Sequence, residues 1–130
     1  MAFLSWHERY SVGDAEMDRQ HLRLFELVNH FDDVIQMGMS TELGLIVNDL
    51  VSCANEHFRS EEDLREKAGF PGLSDHRKMH QELIRQVQEV RAQMKAGGHL
   101  SMKAVVRFLA DWLTNHILRE DMEFKPYLNR

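Results

Sequence analysis

Four stretches of this chain repeat apolar residues at the i, i+3, i+4, i+7 spacing of a helix that faces a core, and each also sets a histidine or carboxylate on that same face. The combination is restrictive. Polar groups on a buried face cost free energy unless something satisfies them, and a metal ion would. The residues concerned are His21, His57, Glu61, His76, His80, His116 and Asp121. His57/Glu61 and His76/His80 are each four residues apart, so each pair shares a helix face, one turn above the other. Such spacings let four helices surround one buried pair of metal ions.

Residues 1–17 lack helical periodicity, and Trp6, Tyr10 and Val12 alternate around polar residues. They are expected to form an extended N-terminal arm whose aromatics cover one side of the core. The first helix is predicted from Asp18 to Gln36, with His21, Leu24, Phe25, Val28, Phe31 and Ile35 inward and Asp18 as its cap. A second, capped by Ser40 or Thr41, runs from Thr41 to Ala68 and stops at Gly69-Phe70-Pro71-Gly72. A third spans Ser74 to Lys95, ended by Gly97-Gly98; the fourth begins near Ser101, a good N-cap, and Pro126 closes it. The fold class expected is all-α: an up-down-up-down four-helix bundle, with one domain over 1–130, its bundle at 18–125 and a tail at 126–130.

A chain of 130 residues, 43% hydrophobic and 28% charged, is long enough for a core without staples. Its net charge of −5, with no Lys/Arg cluster, argues against nucleic acid as a partner. No apolar run approaches the roughly 18 residues of a membrane span, and the N-terminus does not read as a secretory signal. The single cysteine, Cys53, excludes an internal disulfide and suits a reducing compartment. A cytoplasmic monomer is expected.

His76 and His80 lie on the face marked by Met79, Leu83, Ile84 and Val87. Glu61 alone of the acidic run Glu61-Glu62-Asp63 is in phase with Leu50, Ala54, His57 and Leu64. His116 and Asp121 are five apart, which separates them by roughly 140° on a regular helix. Both serve one centre if it sits off-axis or if the helix widens into a π turn; otherwise Asp121 belongs to a solvated Glu120-Asp121-Glu123 cluster. His21, taken alone, reads more often as a satisfied core histidine, and becomes a ligand candidate because three other helices point imidazoles inward. His7, His30 and His99 are expected on the surface, and Cys53 as a small buried hydrophobe.

Five imidazoles and two carboxylates exceed what one tetrahedral zinc takes, but suit two six-coordinate first-row ions such as iron or manganese. Mixed nitrogen and oxygen donors exclude a calcium-type site. The Glu-x-x-His pairs of ferritin-like di-iron proteins are absent, as are H-E-x-x-H and C-x-x-C-H.

The ordered set resembles the hemerythrin family in its single-domain bacterial form. The likeness runs through Trp6 and Tyr10-Ser-Val-Gly13, Asp18-x-Gln20-His21, His57-Phe58-x-x-Glu61, His76-x-x-x-His80 and His116-Ile117-x-x-x-Asp121. The resemblance implies a non-haem centre of two iron ions. His76, His80 and His116 would complete one, His21 and His57 would bind the other and leave it an open position. Glu61 and Asp121 would bridge, with an oxo or hydroxo group between. It implies reversible dioxygen binding rather than enzymatic turnover, for storage, transport or delivery to an oxygen-consuming enzyme. The alternatives are an oxygen or redox sensor, and a di-iron enzyme acting on peroxide or nitric oxide. The oxygen pocket is expected to be lined by Leu24, Phe25, Val28, Phe58, Trp112, Leu113 and Ile117, with Leu113 facing the ligand.

Overall fold

The structure is a computed structural model and describes residues 4–38, 43–69, 71–95 and 101–128. Its helices are α1 (Ala15–Gln36), α2 (Leu43–Lys67), α3 (Leu73–Lys95), α4 (Met102–Asn115) and α5 (Met122–Leu128). A π-helical turn, His116–Asp121, joins α4 to α5 in one continuous rod. No strand occurs among the described residues. Helix α1 packs on α2, α2 on α3, α3 on α4, and α4 closes the ring on α1, as an up-down-up-down bundle requires. No helix among the described residues is long and apolar enough to cross a membrane.

Local chemistry sets the helix ends. Asp14, in an extended conformation, accepts from the Met17 amide at 2.9 Å and caps α1. That corrects the expectation for Asp18, which lies inside the helix. Its carboxylate accepts instead from the Ser11 hydroxyl and the Val12 amide, fastening the arm to α1. Gly38 follows α1 at φ +73°, a backbone state that suits glycine. Ser101 caps α4 as expected, accepting from the Ala104 amide at 3.4 Å. The cap expected at Ser40 or Thr41 lies outside the described residues. Pro126 does not close the last helix but sits within α5. A proline there removes a single helical bond, the one that would reach back to the Met122 carbonyl.

The arm is not wholly extended, because Glu8–Tyr10 form a 3-10 turn. That turn drives Tyr10 inward, where its ring meets Phe25 at 5.4 Å, while Trp6 meets the same ring at 5.5 Å. Asn29 pins the far end of the arm by bonding both the amide and the carbonyl of Leu4. Leu24, Val28, Phe31 and Val34 of α1 interlock with Ile46, Val47, Leu50 and Ala54 of α2 and Val105, Leu109 and Leu113 of α4. Helix α3 is the most polar contributor. Val87 is its buried hydrophobe, with Leu83, Ile84, Val90 and Met94 half-buried beside it.

Candidate metal centre

Each helix brings its share of polar groups to one end of the bundle. His21 comes from the second turn of α1, His57 and Glu61 from successive turns of α2, and His76 and His80 from α3. His116 and Asp121 open and close the π turn. An i→i+5 turn brings residues five apart onto one face, so the spacing that misfits a regular helix converges here. All seven residues predicted from the sequence meet. Donor atoms of His21, His57, Glu61, His116 and Asp121 lie within 4.8 Å of one another, as do those of Glu61, His76 and His80. Glu61 belongs to both groups.

Its two oxygens face opposite ways. Oε1 lies 3.0 Å from His76 Nε2 and 3.4 Å from His80 Nε2, while Oε2 lies 3.2 Å from His57 Nε2 and 3.4 Å from His116 Nε2. Asp121 Oδ2 is 2.5 Å from His21 Nε2 and 3.1 Å from His116 Nε2. The resemblance pairs His116 with His76 and His80. In the structure its nitrogen groups instead with His57 and Asp121, although its ring stands midway, with centroids 5.4 Å from His57 and 5.6 Å from His80. As the first π residue it projects into the centre of the cluster rather than to one side.

The cluster has the polarity of a cation site. His21 Nε2 and His57 Nε2 are 3.0 Å apart, and His57 Nε2 and His116 Nε2 are 3.3 Å apart. Imidazole nitrogens that face one another need something positive between them, a shared proton or a metal. Glu61 Oε2, Asp121 Oδ1 and His80 Nε2 are buried with no hydrogen-bond partner. Buried polar atoms left without a hydrogen bond are costly in a protein interior, and metal bound through these nitrogens and oxygens would satisfy them.

Electrostatics point the same way. Burial pushes both carboxyls up, and Glu61 adds to this at Asp121, but His116 and the neighbouring imidazoles prevail and hold both below the usual carboxylate range. Burial pulls His57 and His116 down, yet the carboxylates of Asp121 and Glu61 outweigh it and raise both. At His21 burial wins over Asp121, and its pKa falls. Both carboxylates are therefore anionic at neutral pH.

Several residues have supporting roles that the sequence does not reveal. Gln20 Oε1 accepts from His57 Nδ1 at 2.9 Å, and Glu62 Oε2 from His80 Nδ1 at 3.2 Å. Each fixes the tautomer that leaves Nε2 aimed at the centre. Glu62, set aside in favour of Glu61, thus acts one layer out. Arg65 is wholly buried, and its Nε donates to Glu61 Oε1 at 3.1 Å. Its position four residues after Glu61 was the available signal.

Of the expected pocket residues, Leu24, Phe25, Val28, Phe58, Trp112 and Leu113 are all buried. Phe58 stacks on His80 with centroids 4.0 Å apart and meets His116 edge-on at 5.0 Å. Phe25 turns toward the arm aromatics. The Ile117 side chain lies outside the described residues. Of the histidines set aside, His7 and His30 are exposed and His99 lies outside the described residues; Cys53 is half-buried rather than buried. A cleft of about 330 Å³ between α3 and α4 reaches His116 and Glu120 past Phe108 and Trp112.

Comparison with known proteins agrees with this geometry. The family model described as the hemerythrin HHE cation binding domain matches residues 12–128. The chain is 33% identical to a bacteriohemerythrin of Stenotrophomonas maltophilia, covering 100% of this chain and 87% of that one. It is 34% identical to a bacteriohemerythrin of Pseudomonas aeruginosa, covering 93% and 78%. A crystal structure of wild-type hemerythrin superposes with a TM-score of 0.89 at 28% identity, over 99% of this chain and 100% of that one. With a family match over almost its whole length and the fold to go with it, this chain belongs to the hemerythrin family.

Proposed function

We propose that His21, His57, Glu61, His76, His80, His116 and Asp121 hold two iron ions, and that the protein binds dioxygen reversibly, for storage, transport or delivery to an oxygen-consuming enzyme. The observation that supports this most strongly is the sharing of buried Glu61 between two sets of imidazoles from four helices. A carboxylate so placed could serve both ions, and Asp121 would add a second anionic donor beside His21 and His116. When bound, a reduced iron pair supplies the electrons and the open coordination position that reversible dioxygen binding needs.

The protein's own residues do the rest. Gln20 and Glu62 hold the His57 and His80 rings in register. If His116 turns to join His76 and His80 on one ion, as the resemblance implies, the His21/His57 side would be left a donor short. Phe58, Leu113, Leu24 and Val28, all buried, exclude water from the centre and keep protons from it. The cleft beside His116, walled by Leu83, Phe108 and Trp112, gives a small apolar molecule a short path inward. Leu113, one turn before His116 and wholly buried, is the residue assigned to face the ligand.

The test is optical. Spectra of the iron-loaded, reduced protein should gain charge-transfer bands under oxygen and lose them under vacuum through repeated cycles. Irreversible oxidation in the first cycle contradicts the proposal. With Leu113→Ala the number of cycles survived should drop severalfold, and an unchanged number removes Leu113 from its assigned place.

A further inference from the structure

Arg65 is the one lysine or arginine buried among the described residues, and its side chain is wholly inaccessible. A guanidinium stays charged at any working pH and is almost never fully buried without anionic partners. Its partners here belong to the metal centre. Nε donates to Glu61 Oε1 at 3.1 Å, and Nη2 lies 3.1 Å from the same oxygen. Nη2 also donates to the Glu120 carbonyl at 2.9 Å and stands 3.8 Å from Asp121 Oδ1. One side chain thus touches the carboxylate of α2, the backbone of the π turn and the carboxylate at that turn's end.

We propose that Arg65 is a positioning residue of the centre: it holds Glu61 and the π turn bearing Asp121 in register, and its fixed charge favours the reduced form of a bound metal pair. The proposal rests on the iron-binding reading above. The charge argument follows from burial. Glu61 and Asp121 bring two negative charges to the site, and Arg65 offsets one of them from outside the donor set. Oxidation adds positive charge to the ions, and a cation a few ångströms away opposes that addition far more strongly in the interior than at the surface. The hydrogen bond to Glu61 Oε1 also draws electron density from an oxygen aimed at His76 and His80. Both effects hold the pair in the state that takes up dioxygen.

The experiment compares Arg65→Met, neutral and of similar length, with Arg65→Lys, which keeps the charge but loses the planar fork. Arg65→Gln, neutral yet able to donate to Glu61, serves if the methionine variant does not fold. Redox titration of the iron-loaded proteins reads the charge effect. The neutral variants should lower the ratio of reduced to oxidised iron at a fixed potential at least tenfold, a fall of about 60 mV for a one-electron step. Arg65→Lys should stay within about threefold of the parent. Amide exchange in the metal-free proteins reads the positioning, and residues 116–125 should exchange at least tenfold faster in the neutral variants. Neutral variants at the parental potential, or a lysine variant that behaves like them, overturn the charge role. Unchanged exchange overturns the positioning role. A parent protein that binds no iron overturns the iron-binding reading instead, and the exchange measurement still decides what Arg65 does.

Discussion

At the scale of single residues, the donors and their supports differ in how openly they declare themselves. His57, Glu61, His76 and His80 are visible in the sequence because helical phase is a local property, and four-residue spacing marks a shared face. Glu61 could be chosen over Glu62 on phase alone, and the structure buries the first and leaves the second half-buried. What phase cannot show is a partner on another helix. Glu62 belongs to α2 but orients His80 of α3, and Gln20 of α1 orients His57 of α2. Arg65 was in phase too, but a lone arginine on an inner face has no meaning until its carboxylates are known to be there. Removal of the Glu62 carboxylate tests this outer layer. Glu62→Ala should leave the fold intact and weaken metal binding about 10–100-fold, the usual cost of losing such a partner. Competition with a chelator measures it, and parental affinity in the variant would show that His80 needs no such support.

At the scale of elements, the π turn decides whether His116 and Asp121 share a centre. Their five-residue spacing exposed a misfit with a regular helix, but the sequence left open whether the centre lay off-axis or the helix widened. A widened turn is set by tertiary satisfaction, here the buried donors and the Arg65 bond to the Glu120 carbonyl, which local propensity does not encode. The same reasoning covers the arm, where burial of Tyr10 selects a 3-10 turn over a plain extended run. It also covers Asp18, whose helix-cap chemistry was assigned correctly in type but belongs to Asp14. Changes in the length of the π turn follow from this geometry. One alanine inserted between Leu118 and Arg119 rotates the carboxylate by about 100° and should sharply reduce bound iron. Deletion of Leu118 leaves an i, i+4 pair, the spacing of His57 and Glu61, and should retain most of it. Iron analysis of the two variants checks the pair, and equal loss in both contradicts the account.

At the scale of the whole molecule, the bundle was legible because four amphipathic stretches separated by glycine and proline admit few other arrangements. The centre ties the bundle together at one end, and α3, which buries only Val87 among its described apolar residues, depends on it most. Metal removal should therefore lower the midpoint of thermal unfolding by on the order of 10 °C or more, since a ligand a thousandfold above its Kd adds about 4 kcal/mol. Calorimetry with and without metal checks this, and identical midpoints would mean the cluster is already satisfied without ions. The central claim, that seven residues build a site for two irons, has a more direct test. Elemental analysis of protein reconstituted with ferrous iron without oxygen, then freed of loose metal, should give two irons per chain. A value near one, or none, contradicts it.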